Sequence, residues 1–122
     1  MKMIRVLLID DEEELVSTLT ERLKIRNIDA EYVVSGQDAI SRLEAKKFDA
    51  VLLDYKLPGM SGLEVMRKIH KSHPGIKVLL FTGAGSVDEE QNSIPEETIP
   101  DILLKPIDID VLINKLKAAI QE

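Results

Sequence analysis

Four apolar runs in this chain are each followed at once by a polar or charged side chain. Asp10 and Asp11 end the first of these runs, Asp54 the second, Thr82 the third and Lys105 the fourth. Taken singly, each residue has an ordinary structural explanation. An aspartate caps a helix or begins a turn, a threonine serves as a turn hydroxyl, and a lysine faces solvent. Taken together, they form a set with a definite chemistry if the fold brings them to one place.

That chemistry is phosphoryl transfer. Three carboxylates repel one another and favour a divalent cation, and Mg²⁺ prefers hard oxygen ligands, usually one or two carboxylates with a phosphate oxygen. An aspartate can attack a phosphoryl group and form an acyl phosphate. Mg²⁺ and Lys105 would neutralise the incoming charge, and the Thr82 hydroxyl can hydrogen-bond a phosphoryl oxygen. The set therefore predicts Mg²⁺-dependent transfer to Asp54, whereas His70 and His73 are predicted to lie on the surface.

The elements that must position these residues alternate between strand and helix. Apolar runs predict strands at residues 3–9, 30–34, 49–53, 76–81 and 102–104. Helical spacing predicts four helices between and after them, with Asn27 ending the first, His73 and Pro74 ending the third, and Asp108 capping the last. Five strands alternating with helices indicate a parallel sheet covered on both faces and joined by right-handed crossovers. Since all strand C-termini then lie at one edge, the polar residues are expected to meet there.

Two acidic stretches need separate explanations. Glu12, Glu13 and Glu14 fall in the first turn of the first helix, where the helix dipole favours negative charge, so they require no functional role. The segment between Gly85 and Pro100 carries a proline and five acidic residues, and few large apolar side chains. We expect at most one or two helical turns there.

Composition limits the remaining function classes. The chain has 122 residues, enough for one domain, with 44% hydrophobic and 31% charged residues and a net charge of −6. This charge argues against direct binding of nucleic acid by the domain as a whole. No cysteine is present, so thiolate metal sites are excluded. No apolar run is long enough for a membrane span or a signal peptide core, and we expect a cytoplasmic protein with no membrane partner.

Four motifs carry a resemblance to a known family. They are I-D-D-E at residues 9–12, L-L-D-Y-K-L-P-G-M-S-G at 52–62, F-T-G-A-G at 81–85 and L-L-K-P at 103–106. In this order and spacing, the chain resembles the receiver domain of two-component response regulators over essentially its whole length. The resemblance implies one receiver domain at residues 1–122 with a flavodoxin-like, doubly wound sheet of strand order 2-1-3-4-5.

The resemblance also implies a role for each site residue. Asp54 would accept a phosphoryl group from a phosphohistidine on a sensor histidine kinase or a histidine phosphotransfer protein. Asp11, Asp54 and the main-chain carbonyl of Lys56 would bind Mg²⁺ directly, and Asp10 would act largely through a bound water. Lys105 would pair with the phosphoryl oxygens, and the Lys105–Pro106 bond would be cis. Thr82 would move toward the phosphoryl group and so trigger the conformational switch. The domain would assist its own phosphorylation and dephosphorylation without being an enzyme.

Two positions depart from the family's pattern. Ile102 stands where an aromatic residue is common, and the acidic segment 86–100 replaces the helix between the fourth and fifth strands. This degenerate helix predicts that the partner surface is altered and that segment 86–100 is mobile without phosphate. The sequence therefore leaves two functional classes, a phosphorylatable switch and a receiver-like interaction module that is not regulated by phosphorylation. A flavin enzyme is disfavoured because two Phe, two Tyr and no Trp offer little to stack on a flavin. Whether the receiver stands alone or belongs to a longer regulator, and which effector it controls, stay open.

Overall fold

The structure, a computed structural model, describes residues 3–83 and 102–120. These residues form five strands and four helices in strict alternation until the fourth strand. The strands are β1 (Arg5–Ile9), β2 (Asp29–Val33), β3 (Ala50–Asp54), β4 (Lys77–Gly83) and β5 (Ile102–Lys105). The helices are α1 (Glu13–Ile25), α2 (Gly36–Ala45), α3 (Gly62–Ser72) and α4 (Ile109–Ile120). The segment predicted to hold a degenerate helix lies outside the described residues.

The five strands make one parallel sheet in the order β2-β1-β3-β4-β5, which confirms the predicted fold class. Every residue of β3 is buried, as expected for a central strand that is covered on both faces. One core cluster packs beneath α2 and α3 and includes Leu53 and Leu80. The other packs beneath α1 and α4 and includes Leu52 and Phe81. Because side chains alternate along a strand, each strand contributes to both clusters.

Local signals fix most helix ends where the sequence predicted them. The Asp108 carboxylate accepts hydrogen bonds from the backbone N–H groups of Asp110 and Val111 at 2.8 and 3.1 Å, which confirms it as a helix cap. Asn27 has a φ of 64°, a conformation that asparagine tolerates, and α1 ends just before it. The third helix ends with His73 as its C-cap, immediately before Pro74. None of the described helices is both long and apolar enough to cross a membrane.

Two predictions about where elements begin and end were wrong in detail. The sequence suggested that Asp10 or Asp11 caps α1, but the N-cap position is Glu12 and no side chain caps it. The third, fourth and fifth strands also run one or two residues further than predicted. Asp54, Thr82 and Lys105 are therefore strand residues. Their backbones are held by the sheet, which positions side chains more firmly than a loop does.

Candidate functional site

Asp54 is the last residue of the central strand β3, and 5% of its surface is exposed. The backbone N–H of Lys56 donates to Asp54 Oδ1 at 3.2 Å, which orients the carboxylate. The following loop folds back against the strand, where the N–H of Gly62 donates to the carbonyl of Tyr55 at 2.9 Å. A Cβ at Gly62 would lie 2.6 Å from the carbonyl oxygen of Asp54, so only glycine fits there. The loop therefore packs at Gly62 against the backbone of Asp54 and Tyr55 and helps to fix the position of Asp54.

Asp10 follows the neighbouring strand β1 and is completely buried. Its Oδ1 accepts a hydrogen bond from the backbone N–H of Glu12 at 2.9 Å. Its Oδ2 lies 3.1 Å from the ammonium nitrogen of Lys105, an ion pair without hydrogen-bond geometry. Among the described residues, this Oδ2 is the one buried side-chain polar atom that has no hydrogen-bond partner. A buried carboxylate oxygen left in this state is ready to receive a cation or a water.

Lys105 brings the positive charge to this edge from strand β5. Its ammonium lies 2.8 Å from Glu12 Oε1, 3.1 Å from Asp10 Oδ2 and 3.5 Å from Asp54 Oδ2. It also lies 4.8 Å from the centre of the Phe81 ring, within the range of a cation–π contact. The bond from Lys105 to Pro106 is cis, as expected.

The alternation of side chains explains why these charged groups meet. Asp10, Asp54 and Lys105 come two residues after Leu8, Leu52 and Leu103, which all belong to the core beneath α1 and α4. A period of two therefore continues each apolar stripe into the site on the same face of the sheet. Thr82 follows Leu80 of the opposite core cluster and is 2% exposed. In the sheet, Asp54 of β3 pairs with Phe81 of β4, and Lys105 of β5 pairs with Gly83 of β4. Thr82 lies between Phe81 and Gly83, so its backbone lies between the residues of β4 that face Asp54 and Lys105.

Burial dominates the electrostatics of the two aspartates. Burial, followed by the negative charge of Asp10, raises the pKa of Asp54 to about 6, although Lys105 and the Lys56 amide oppose the shift. Burial also raises the pKa of Asp10. Burial by itself lowers the pKa of Lys105, but its hydrogen bond to Glu12 and its close contacts with the Asp10 and Asp54 carboxylates outweigh that and raise it. The lysine therefore stays charged, while the carboxylates are held in an environment that disfavours their ionised form.

Three carboxylates of the site can face a common cation. One oxygen each from Asp10, Glu12 and Asp54 lie within 4.8 Å of one another. Hard oxygen ligands of this kind suit Mg²⁺, and Oδ2 of Asp10 is buried without a hydrogen-bond partner, so it can still accept one. The residues present therefore fit a divalent cation.

The predicted site residues are distributed unevenly around this centre. Asp10, Asp54 and Lys105 are brought together, and Thr82 is buried at the same edge. Asp11 is exposed and does not belong to the group of three close carboxylates. Lys56 is exposed too, and its contribution to the observed contacts is the backbone N–H.

Glu12 is the residue that sequence reasoning missed. It was explained by the helix dipole along with Glu13 and Glu14, yet its carboxylate contacts Lys105 and belongs to the acidic group. Its position directly after the acidic pair, still at the strand edge, was the available signal.

The fold and site together define a doubly wound α/β domain with an acidic, lysine-bearing pocket at the carboxyl edge of its sheet. The family model of the response regulator receiver domain matches residues 6–117. The chain therefore belongs to the response regulator receiver domain family of two-component signalling.

Its relatives are regulators of several kinds. The luminescence regulatory protein LuxO of Vibrio campbellii is 30% identical over 115 residues, which are 94% of this chain and 25% of that protein. The transcriptional regulatory protein TcrA of Mycobacterium tuberculosis is 29% identical over 115 residues, 94% of this chain and 45% of that protein. The chain thus spans between a quarter and about half of the length of these curated relatives.

Solved structures show the same architecture. The signal receiver domain of a putative LuxO repressor protein from Vibrio parahaemolyticus is 35% identical, with a TM-score of 0.80, covering 97% of this chain and 93% of that one. The signal receiver domain of an HD domain-containing protein from Pseudomonas fluorescens is 25% identical, with a TM-score of 0.87. The match covers 98% of this chain and 96% of that one. Both are named as receiver domains, in agreement with the family model.

Proposed function

We propose that this domain is a phosphoacceptor switch in which Asp54 takes a phosphoryl group from a phosphohistidine. The observation that carries the proposal is the placement of the Asp54 carboxylate. It is nearly buried, it is oriented by a backbone N–H, and it lies 3.5 Å from a lysine ammonium and close to a second buried carboxylate. A donor protein would be a sensor histidine kinase or a histidine phosphotransfer protein, and the reaction would take place in the cytoplasm.

The transfer forms one bond and breaks another. An ionised oxygen of Asp54 attacks phosphorus and forms an acyl phosphate, while the bond from phosphorus to the donor imidazole nitrogen breaks and its electron pair returns to that nitrogen. With a pKa of about 6, Asp54 is mostly ionised near neutral pH and can serve as the nucleophile. The burial that raises this pKa also removes water around the carboxylate, which strengthens its interactions with nearby charges.

The neighbouring residues would supply charge and hydrogen bonds. Asp10, Asp11, Asp54 and the carbonyl of Lys56 would hold Mg²⁺, directly or through water, and oxygens of Asp10 and Asp54 lie within 4.8 Å of each other. When bound, Mg²⁺ would neutralise the phosphoryl oxygens. Lys105 would donate to the same oxygens, and Thr82 would turn its hydroxyl toward them and so report the modification.

Reversal would complete the signalling cycle. Hydrolysis of the acyl phosphate at the same site would return the domain to its resting state, with the site residues assisting both directions. The phosphorylated domain would change its affinity for an effector, carried on the same polypeptide or on a separate protein. The names of LuxO and TcrA associate their receivers with regulation, and a comparable output is proposed here without a specific target.

The test is direct modification. The protein is incubated with acetyl phosphate and Mg²⁺, and its intact mass is followed for the addition of one HPO₃ group. We expect addition to the wild type, and no addition to the Asp54→Asn variant or to wild type in excess EDTA. A wild type that stays unmodified both with acetyl phosphate and with a phosphorylated donor protein would support the alternative, an interaction module that phosphorylation does not regulate.

A further inference from the structure

We propose that Glu12 is a positioning residue that restrains Lys105 in the resting domain and competes with the phosphoryl group for its ammonium. The inference rests on the proposed phosphorylation of Asp54 and assigns that reaction an additional control point. The competition would make the lysine available only as the phosphoryl group arrives, so Glu12 would set the rate of modification.

The first observation is which carboxylate holds the ammonium most closely. Of the three carboxylates that contact it in the described part of the chain, Glu12 makes the shortest contact, 2.8 Å, with hydrogen-bond geometry. The contacts with Asp10 and Asp54 are longer, at 3.1 and 3.5 Å. The resting lysine is therefore bound most directly by a residue other than the proposed acceptor.

The second observation is exposure. The Glu12 side chain is 61% exposed, whereas that of Asp10 is completely buried and that of Asp54 is 7% exposed. An ion pair with so much solvent around one partner is weak and easily exchanged. Glu12 can therefore release the ammonium at little cost, whereas the buried aspartates would leave a charge without water or partner.

The third observation separates the side chain from the backbone of Glu12. Its backbone N–H orients Asp10 by donating to Oδ1, and its carbonyl accepts the N–H of Val16 in the first turn of α1. Substitution by glutamine keeps both backbone bonds and nearly the same side-chain shape. It removes the charge that holds Lys105, and so isolates the proposed role.

Charge repulsion acts in the same direction as the competition. A phosphoryl group approaching Asp54 brings additional negative charge to a site that already contains three close carboxylates. Neutralising Glu12 lessens the repulsion and frees the lysine, so both effects predict faster modification. Glu14 provides a matched control because it lies two residues away in the first turn of α1, is exposed, and is not one of the carboxylates that contact Lys105.

The experiment compares initial rates of modification by acetyl phosphate at saturating Mg²⁺. We expect Glu12→Gln to be modified roughly two- to fivefold faster than wild type, the range that exposed ion pairs support, and Glu14→Gln to match wild type. In a Lys105→Gln background, Glu12→Gln should accelerate modification clearly less than it does with Lys105 present, because only the relief of charge repulsion is left. The Nζ resonance of Lys105 should shift in magnesium-free Glu12→Gln and stay in place in Glu14→Gln.

Several results would overturn the inference. Slower modification of Glu12→Gln would show that Glu12 promotes the reaction instead of restraining Lys105. A higher Mg²⁺ requirement of this variant would show that Glu12 is a metal ligand. Equal acceleration by Glu12→Gln with and without Lys105 would reduce the effect to general charge. An unmodified wild type would instead contradict the proposed function itself, and the lysine resonance would still report whether the ion pair exists.

Discussion

Replacing Asp54, the proposed phosphoacceptor, with asparagine is expected to stabilise the magnesium-free domain. The asparagine side chain would keep an oxygen for the N–H of Lys56 and nearly the same volume, but it carries no charge. In the wild type, burial and the nearby Asp10 carboxylate disfavour the ionised form of Asp54 and raise its pKa to about 6. The wild type must therefore fold with a charge that its own structure disfavours, and the Asp54→Asn variant does not.

The sign and size of the effect follow from proton linkage. A carboxyl group whose folded-state pKa is raised binds protons more tightly when folded, so its contribution favours folding at low pH and is lost as pH rises. The difference between the ordinary pKa of 3.8 and the folded-state pKa of about 6 for Asp54 corresponds to about 3 kcal/mol of lost stability once pH exceeds the folded-state pKa. The same linkage gives about 1.5 kcal/mol near pH 5 and about 0.5 kcal/mol near pH 4.

The assay is urea denaturation in EDTA across this pH range, for wild type, Asp54→Asn and a control, Asp38→Asn. Asp38 is exposed in the first turn of α2, away from the site, so its replacement controls for the loss of one negative charge at the surface. We expect the advantage of Asp54→Asn to grow with pH in the manner given above. A difference between variant and wild type that is the same at every pH would refute the argument, since it would show that ionisation of Asp54 costs the fold nothing.

Four further outcomes follow from the site. Mg²⁺ should stabilise the wild type by about 2.7 kcal/mol at a hundredfold excess over its Kd, and Asp54→Asn by much less, as thermal denaturation would show. Gly62→Ala should cost about 1–3 kcal/mol in urea denaturation because its Cβ would meet backbone atoms, whereas Gly75→Ala, with open space around it, should change stability by less than about 1 kcal/mol. Thr82→Ala should still be phosphorylated, but the NMR shift changes that phosphorylation causes away from the site in the wild type should be absent in the variant. Lys56→Ala should leave the lifetime of the phosphorylated protein within about twofold of wild type, because its side chain is exposed, and a tenfold change would place that side chain in the site.

Much of the fold was predictable because the strands follow a simple physical rule. A parallel sheet covered on both faces requires continuous apolar strands, and those strands stand out between polar residues in this sequence. The strand order is not visible in such a pattern. It came from the resemblance, and the structure confirms it. The exact strand ends were missed because Asp54 and Lys105 are polar, and a pattern based on hydrophobicity stops before them although their backbones continue the sheet.

The site was predictable in its main members and not in its contacts. Strand C-termini at one edge were enough to bring Asp10, Asp54 and Lys105 together. The contact of Glu12 with Lys105 was not predicted, because the helix dipole already accounts for a glutamate at that position and no second role was needed to explain it. Only the distance to Lys105 distinguishes Glu12 from Glu13, which instead accepts a hydrogen bond from the hydroxyl of Tyr32.

The opposite charges of the site are held by strands that differ in how firmly the sheet fixes them. Asp10 directly follows β1 and Asp54 ends β3, and both strands are central and paired on both sides, so moving these acids would disturb two ladders each. Lys105 belongs to β5, an edge strand paired on one side, and Leu104 beside it is 52% exposed. If Asp54 is phosphorylated as proposed, the changed attraction between Asp54 and Lys105 is therefore expected to move β5 more than β3, because fewer ladder hydrogen bonds hold an edge strand. Since β5 also presents surface to solvent, we expect a partner that detects the modification to bind at this strand, away from the core that holds Asp54 in place.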